Sequence, residues 1–131
     1  MITARWHDWF EKTTEDLVLT EGAETISADS VIKDKSGAVL CQYKITCDKN
    51  WVFKEIQIQT NDGKKLYLRS DGAGNWFSGP YETLPELHGA LDLDFVATPF
   101  TNTLPIRRLD LERGDTAEID VAWISFPELE V

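Results

Sequence analysis

Polar and apolar residues alternate along most of this chain with the two-residue period of half-buried strands, and short clusters of Gly, Asn, Asp and Ser interrupt the alternation. Asp16 to Thr20 is the first secure strand, while the crowding of Trp6, Trp9 and Phe10 before it suggests a brief helix. Thr25 to Lys33 alternates next, and Lys35-Ser36-Gly37 turns the chain into Val39 to Cys47. Asp48-Lys49-Asn50 reverses it again. From Trp51 to Thr60, Ile56 and Ile58 alternate with Glu55, Gln57 and Gln59, and Asn61-Asp62-Gly63 is a tight-turn sequence leading into Lys65 to Ser70. Asp71-Gly72-Ala73-Gly74-Asn75 precedes Trp76-Phe77, and Leu84 to His88 reads as a single helical turn or a loop. Near the end, Ile106 to Glu112 and Thr116 to Ser125 are expected to form a hairpin around Arg113-Gly114-Asp115. Its apolar face would carry Ala117, Ile119, Val121 and Trp123, opposite Glu118 and Asp120.

The pattern predicts an all-β, antiparallel meander of about eight or nine strands. Such a meander forms a curved sheet, a roll or a partly open barrel, with an apolar concavity where large residues line the inner face. No repeat, low-complexity run or linker divides residues 1–131, so a single β-roll domain is expected.

Leu91 to Arg108 packs unusual residue types into one span. Leu91, Leu93 and Phe95 alternate with Asp92, Asp94 and Val96, whereas Pro99 and Pro105 each remove a ladder donor, predicting a shaped crossing between them. Thr101, Asn102 and Thr103 would fix that crossing by bonding their own backbone. If Arg107 and Arg108 lie on a strand, one of them faces inward and needs a partner. The structural option is an ion pair with Asp92 or Asp94; the functional option is that Arg107, Arg108 and Asn102 offer donors to a ligand's polar head. Asp92 and Asp94, about 7 Å apart on one strand face, also raise paired-carboxylate hydrolysis, although carboxylates alternating with Leu are the ordinary pattern of a half-exposed strand.

The span GALDLDFVATPFTNTLPIRRLDL resembles the signature of the "putative glycolipid-binding" protein family, with Asn102-Thr103-Leu104-Pro105-Ile106-Arg107-Arg108 at its centre. Glu15 to Leu19, Tyr43 to Asp48 with Trp51, Asp71 to Trp76, Leu109 to Gly114, and Ala122-Trp123-Ile124 with Pro127 agree more weakly. The resemblance implies a roll similar to the half-barrels of lipoprotein carriers, and binding of a glycolipid or fatty acyl compound. Family members run on for further strands after the position of Pro127, so the stop at Val131 implies an open sheet edge and self-association as a homodimer.

Charge and composition narrow the partners. With 13 basic against 23 acidic residues, the net charge of -10 argues against nucleic acid and anionic membrane surfaces. No apolar leader and no long apolar run occur, which points to a cytoplasmic protein that does not insert into membranes. Cys41 and Cys47 share one strand face about 20 Å apart, too far for a disulfide, so both are expected as free thiols. With only His7 and His88 beside them, no metal set forms, and no cofactor is implied. Ser78, Ser125 and His88 lack nucleophile motifs, and Asp71-Gly72-Ala73-Gly74 lacks the Lys and helix of a phosphate loop. Of the Trp residues, Trp123 reads as core, and Trp51 and Trp76, beside turns, are candidates for the rim of a ligand site. The expected function is non-enzymatic binding of an amphipathic ligand in the concave apolar face, with Trp51, Trp76, Asn102, Arg107 and Arg108 as ligand-binding residues. The alternatives are a self-associating module with an open edge and an acid/base hydrolase using Asp92 and Asp94.

Overall fold

A computed structural model describes residues 1–8 and 12–131 of the chain. Eight strands form one sheet in sequence order, each antiparallel to the next: β1 (Ile2–Asp8), β2 (Thr13–Glu21), β3 (Thr25–Lys33), β4 (Val39–Asp48), β5 (Phe53–Thr60), β6 (Lys65–Ser70), β7 (Trp76–Ser78) and β8 (Glu82–Thr83). The ladder ends at β1 and β8, which do not pair with each other. A 3-10 turn (Pro85–Leu87) leads to β9 (Asp92–Phe95); a second (Phe100–Asn102) runs into helix α1 (Thr103–Arg108), and β10 (Val121–Ile124) follows. No helix among the described residues is long and apolar enough to cross a membrane.

Three of the reversals use one device. Asp34, Asp48 and Asp71 each accept, through Oδ1, hydrogen bonds from the backbone N–H groups two and four residues ahead. The residue three positions on adopts a left-handed conformation, as short hairpin loops with a bulge require. Gly37 and Gly74 fill that position without strain; between β4 and β5 it is Trp51, at φ 66°. Its indole is buried in the core.

Alternation then separates the two faces of the sheet. Leu17, Ala28, Cys41, Ile45, Phe53, Ile56 and Leu68 lie on one face, which the chain covers with its own later residues Leu93, Phe95, Phe100, Leu104, Ala122 and Ile124. The Tyr43 and Phe95 rings meet edge to face at 5.6 Å. The apolar face expected to hold a ligand is therefore filled by β9, α1 and β10. β4 runs unbroken through Cys41 and Cys47, whose thiols are free and buried.

Several expectations fail for identifiable reasons. Ile2–Asp8 is a strand, because pairing of its whole length with residues 13–19 of β2 overrides the aromatic crowding; Trp9 and Phe10 lie outside the described residues. The crossing between Pro99 and Pro105 is helical, since Pro105 falls in the first turn of α1, where its missing N–H costs no intrahelical bond. The hairpin over Ile106 to Glu112 and Thr116 to Ser125 is absent. Its first arm begins in α1, and β10 pairs in parallel with β9, a connection that needs a crossover rather than a turn. Ala122 and Ile124 are consequently buried and Trp123 is 51 % exposed, the reverse of the expected face.

Candidate functional site

On the uncovered face, strand register brings alternate side chains into two rows across the sheet. Asp16, Val31, Gln42, Gln59 and Lys65 succeed one another as cross-strand partners from β2 to β6, and Val18, Asp29, Lys44, Gln57 and Tyr67 form the adjacent row. A groove of about 870 Å³ lies over them and ends against Ser78 and Gly79. Gln42, Lys44, Gln57 and Gln59 are exposed, while Val18, Val31 and the Tyr67 ring are half-buried, so polar tips stand on a partly apolar floor.

The margins of this groove are held by charge. Arg5 pairs with Asp16 at 2.6 Å at one end. At the other, Arg69 donates to the Gly79 and Pro80 carbonyls at 3.3 and 3.1 Å, with its guanidinium 5.1 Å from the Phe77 ring centre. Tyr67 donates to Glu55 at 2.6 Å. That bond, with some burial and the Glu55 charge, pushes the phenol above its ordinary value, so it remains a neutral donor.

The residues expected to bind ligand are dispersed instead of gathered here. Trp76, 2 % exposed, stacks on Phe53 and donates its indole N–H to the Ala90 carbonyl at 2.8 Å. Trp51, 8 % exposed, lies under the Arg107 guanidinium at 5.1 Å. Arg108 forms a two-pronged pair with the fully buried Asp92, at 2.6 and 3.2 Å, the structural option considered for the Arg pair. Because both Arg residues sit on a helix, this division follows from helical angle and not from opposite faces of a strand. Asn102 makes no capping bond; the crossing is fixed instead by Thr98 Oγ1 accepting from the Phe100 N–H and Thr101 Oγ1 from the Phe95 N–H. Asn102 and Asp94 line a second cavity, of about 580 Å³, whereas Asp92 borders a different one with Arg108. The two aspartates therefore line different cavities.

Nothing in the sequence reading singled out Gln42, Lys44, Gln57, Gln59 or Tyr67. A signal was present, since folding the β4–β5 hairpin about its turn sets Gln42 opposite Gln59 and Lys44 opposite Gln57, but only the strand register extends these pairs into two rows. A family model described as "Putative glycolipid-binding" matches residues 3–131. Among solved structures, the chain is similar to a DUF1089 family protein from Pseudomonas aeruginosa, known from a crystal structure at 1.80 Å resolution. The two share 35% identity with a TM-score of 0.70, over 95% of this chain and 69% of that one. No curated protein matches the chain.

Proposed function

Because the chain belongs to the "Putative glycolipid-binding" family, we propose that it binds the carbohydrate part of an amphipathic ligand, without chemistry, in the groove on the uncovered face of the eight-stranded sheet. The observation that carries this reading is the pair of cross-strand rows. Gln42 and Gln59 are partners, as are Gln57 and Tyr67, and a rigid ladder spaces their amides and phenol across the groove. A carboxamide both donates and accepts, as a sugar hydroxyl does, and the intervening Val18, Val31 and Tyr67 ring offer apolar surface to the C–H face of a pyranose or the start of an acyl chain. The groove has the volume of a small-molecule site, which ordinarily lies between about 300 and 1,000 Å³. The filled apolar face argues for this side of the sheet over the one expected from the sequence.

The test is calorimetric titration with soluble short-chain glycolipids, their free sugars, and a fatty acid. The combined Gln42→Ala, Gln57→Ala and Gln59→Ala variant should lose about tenfold or more in glycolipid affinity, from bonds contributing about 0.5 to 1.5 kcal/mol each. Its melting temperature should stay close to that of the parent, because all three side chains are exposed. Tight binding of the fatty acid alone, unaffected by the triple substitution, would refute the assignment.

A further inference from the structure

One buried carboxylate is not explained by packing. Glu15 lies on β2 with 4 % of its surface exposed, and its environment is built around one of its two oxygens. Oε2 accepts from the Ser30 hydroxyl at 2.6 Å and from the Tyr43 hydroxyl. The Tyr43 oxygen lies 3.2 Å from Thr98 Oγ1, which in turn accepts from the Phe100 N–H. β3 and β4 thus converge directly on Oε2, and the segment after β9 joins them through Tyr43. Oε1, also buried, has no hydrogen-bond partner among the described residues. Buried polar atoms are almost always satisfied, and an unsatisfied one asks for an explanation.

Glu15 is also part of the wall of the 580 Å³ cavity between the β1–β2 pair and the segment following β9. Trp6, Asp94, Val96, Pro99 and Asn102 line the same space. The wall is thus acidic at Glu15, half-buried Asp94 and exposed Asp8, apolar along Val96 and Pro99, and aromatic at Trp6. His7 is the one basic side chain among the described lining residues, and its Nδ1 faces Thr14 Oγ1 at 3.3 Å. A hydroxyl donor would satisfy Oε1 but leave a buried negative charge uncompensated. A primary ammonium supplies donor and countercharge together, and an indole face attracts the same group.

We propose that this cavity is a second ligand site, separate from the groove, that takes a small organic amine: its ammonium donates to Glu15 Oε1 and its short apolar body runs along Val96 and Pro99 toward Asn102. The test uses hexylamine and hexanol, which share a body and differ only in the head, titrated against the intact protein with amide chemical shifts followed by NMR. Hexylamine should perturb Thr98 and Asn102 and bind at least about tenfold more tightly than hexanol, the factor expected of a charge-assisted bond. Glu15→Gln should abolish that preference. Should that variant fail to fold, Asp94→Asn decides: it removes a charge from the half-buried wall and should weaken hexylamine several-fold while leaving hexanol unchanged. Equal binding of the two probes, no binding of hexylamine, or an unaltered preference in the folded variants would overturn the proposal. The triple Gln variant of the groove should bind hexylamine as the parent does, so failure at one site is distinguishable from failure at the other.

Discussion

Replacing Arg108 with Ala should be among the most damaging changes available to the signature segment, and replacing its neighbour Arg107 should not. The Arg108 guanidinium meets both oxygens of Asp92, at 2.6 and 3.2 Å, and the Asp92 side chain is only 1 % exposed. Arg108→Ala therefore leaves a carboxylate buried with its cation gone, a situation that costs about 3 to 5 kcal/mol. Domains of this size are stable by about 5 to 15 kcal/mol, so about a fifth or more of the total is at stake. At about 3 to 5 °C per kcal/mol, the melting temperature should fall by roughly 9 to 25 °C. Arg107 contributes a guanidinium over the Trp51 ring at 5.1 Å and is itself exposed. Its loss should cost about 0.5 to 1 kcal/mol. Urea unfolding would measure both as a shift in midpoint at constant slope. The double variant Asp92→Leu with Arg108→Met separates the pair's own worth from the penalty of a stranded charge: it should recover most of the Arg108→Ala loss. Equal, small effects of Arg107→Ala and Arg108→Ala would refute the reasoning, because they would mean that Asp92 does not depend on Arg108.

Burial, helped by the charges of Glu15 for Cys41 and of Asp48 and Asp92 for Cys47, pushes both thiols up to about 12. Both should resist a thiol reagent at pH 8 in the native protein and react fully once it is denatured; rapid native labelling would contradict the burial. A proton held more tightly in the folded state means stability is intact below the ordinary thiol value of 9.0 and is lost as pH climbs from there toward 12, which pH-dependent melting would detect. Burial, and then the Glu15 charge, raise the Tyr43 phenol in the same direction. Gly74→Ala should destabilise the protein far more than Gly37→Ala. Both positions are left-handed, but a Cβ at Gly74 would come within 3.0 Å of the Gly89 backbone, whereas one at Gly37 meets nothing within 4 Å. Comparable urea midpoints for the two variants would contradict that packing.

Strands whose partners are their sequence neighbours were readable in advance. Thr25–Lys33 and Lys65–Ser70 appear with the bounds that their alternation and turns imply. The Asp-led loops and the turn at Asn61-Asp62-Gly63 explain why, since turn chemistry sets register locally. What escaped was decided at long range. Pro99 and Pro105 looked like strand breakers, and only the docking of Leu104 into the core shows that they open a helix. The face of β10 depends on its parallel partner β9, on the far side of α1 in sequence, so alternation alone placed Trp123 inward. The two tryptophans assigned to a rim were drawn inside by residues that fold over them later in the chain, Ala90 for Trp76 and Arg107 for Trp51. The Glu15 constellation is closed by a bond between residues 55 positions apart, Tyr43 and Thr98, and leaves no local pattern.

The order of the sheet carries a kinetic consequence. Each of the first eight strands pairs with the one made just before it, so every step closes a short loop, and the entropy of closure stays small. The covering of the apolar face runs on a different clock. Leu93, Phe95, Leu104, Ala122 and Ile124 all lie beyond β8, so a chain emerging in order can zip its ladder while Ile45, Phe53 and Ile56 are still bare to water. Synthesis in chain order completes the sheet's strands before their cover, and in that interval a bare apolar face invites association with other unfinished chains.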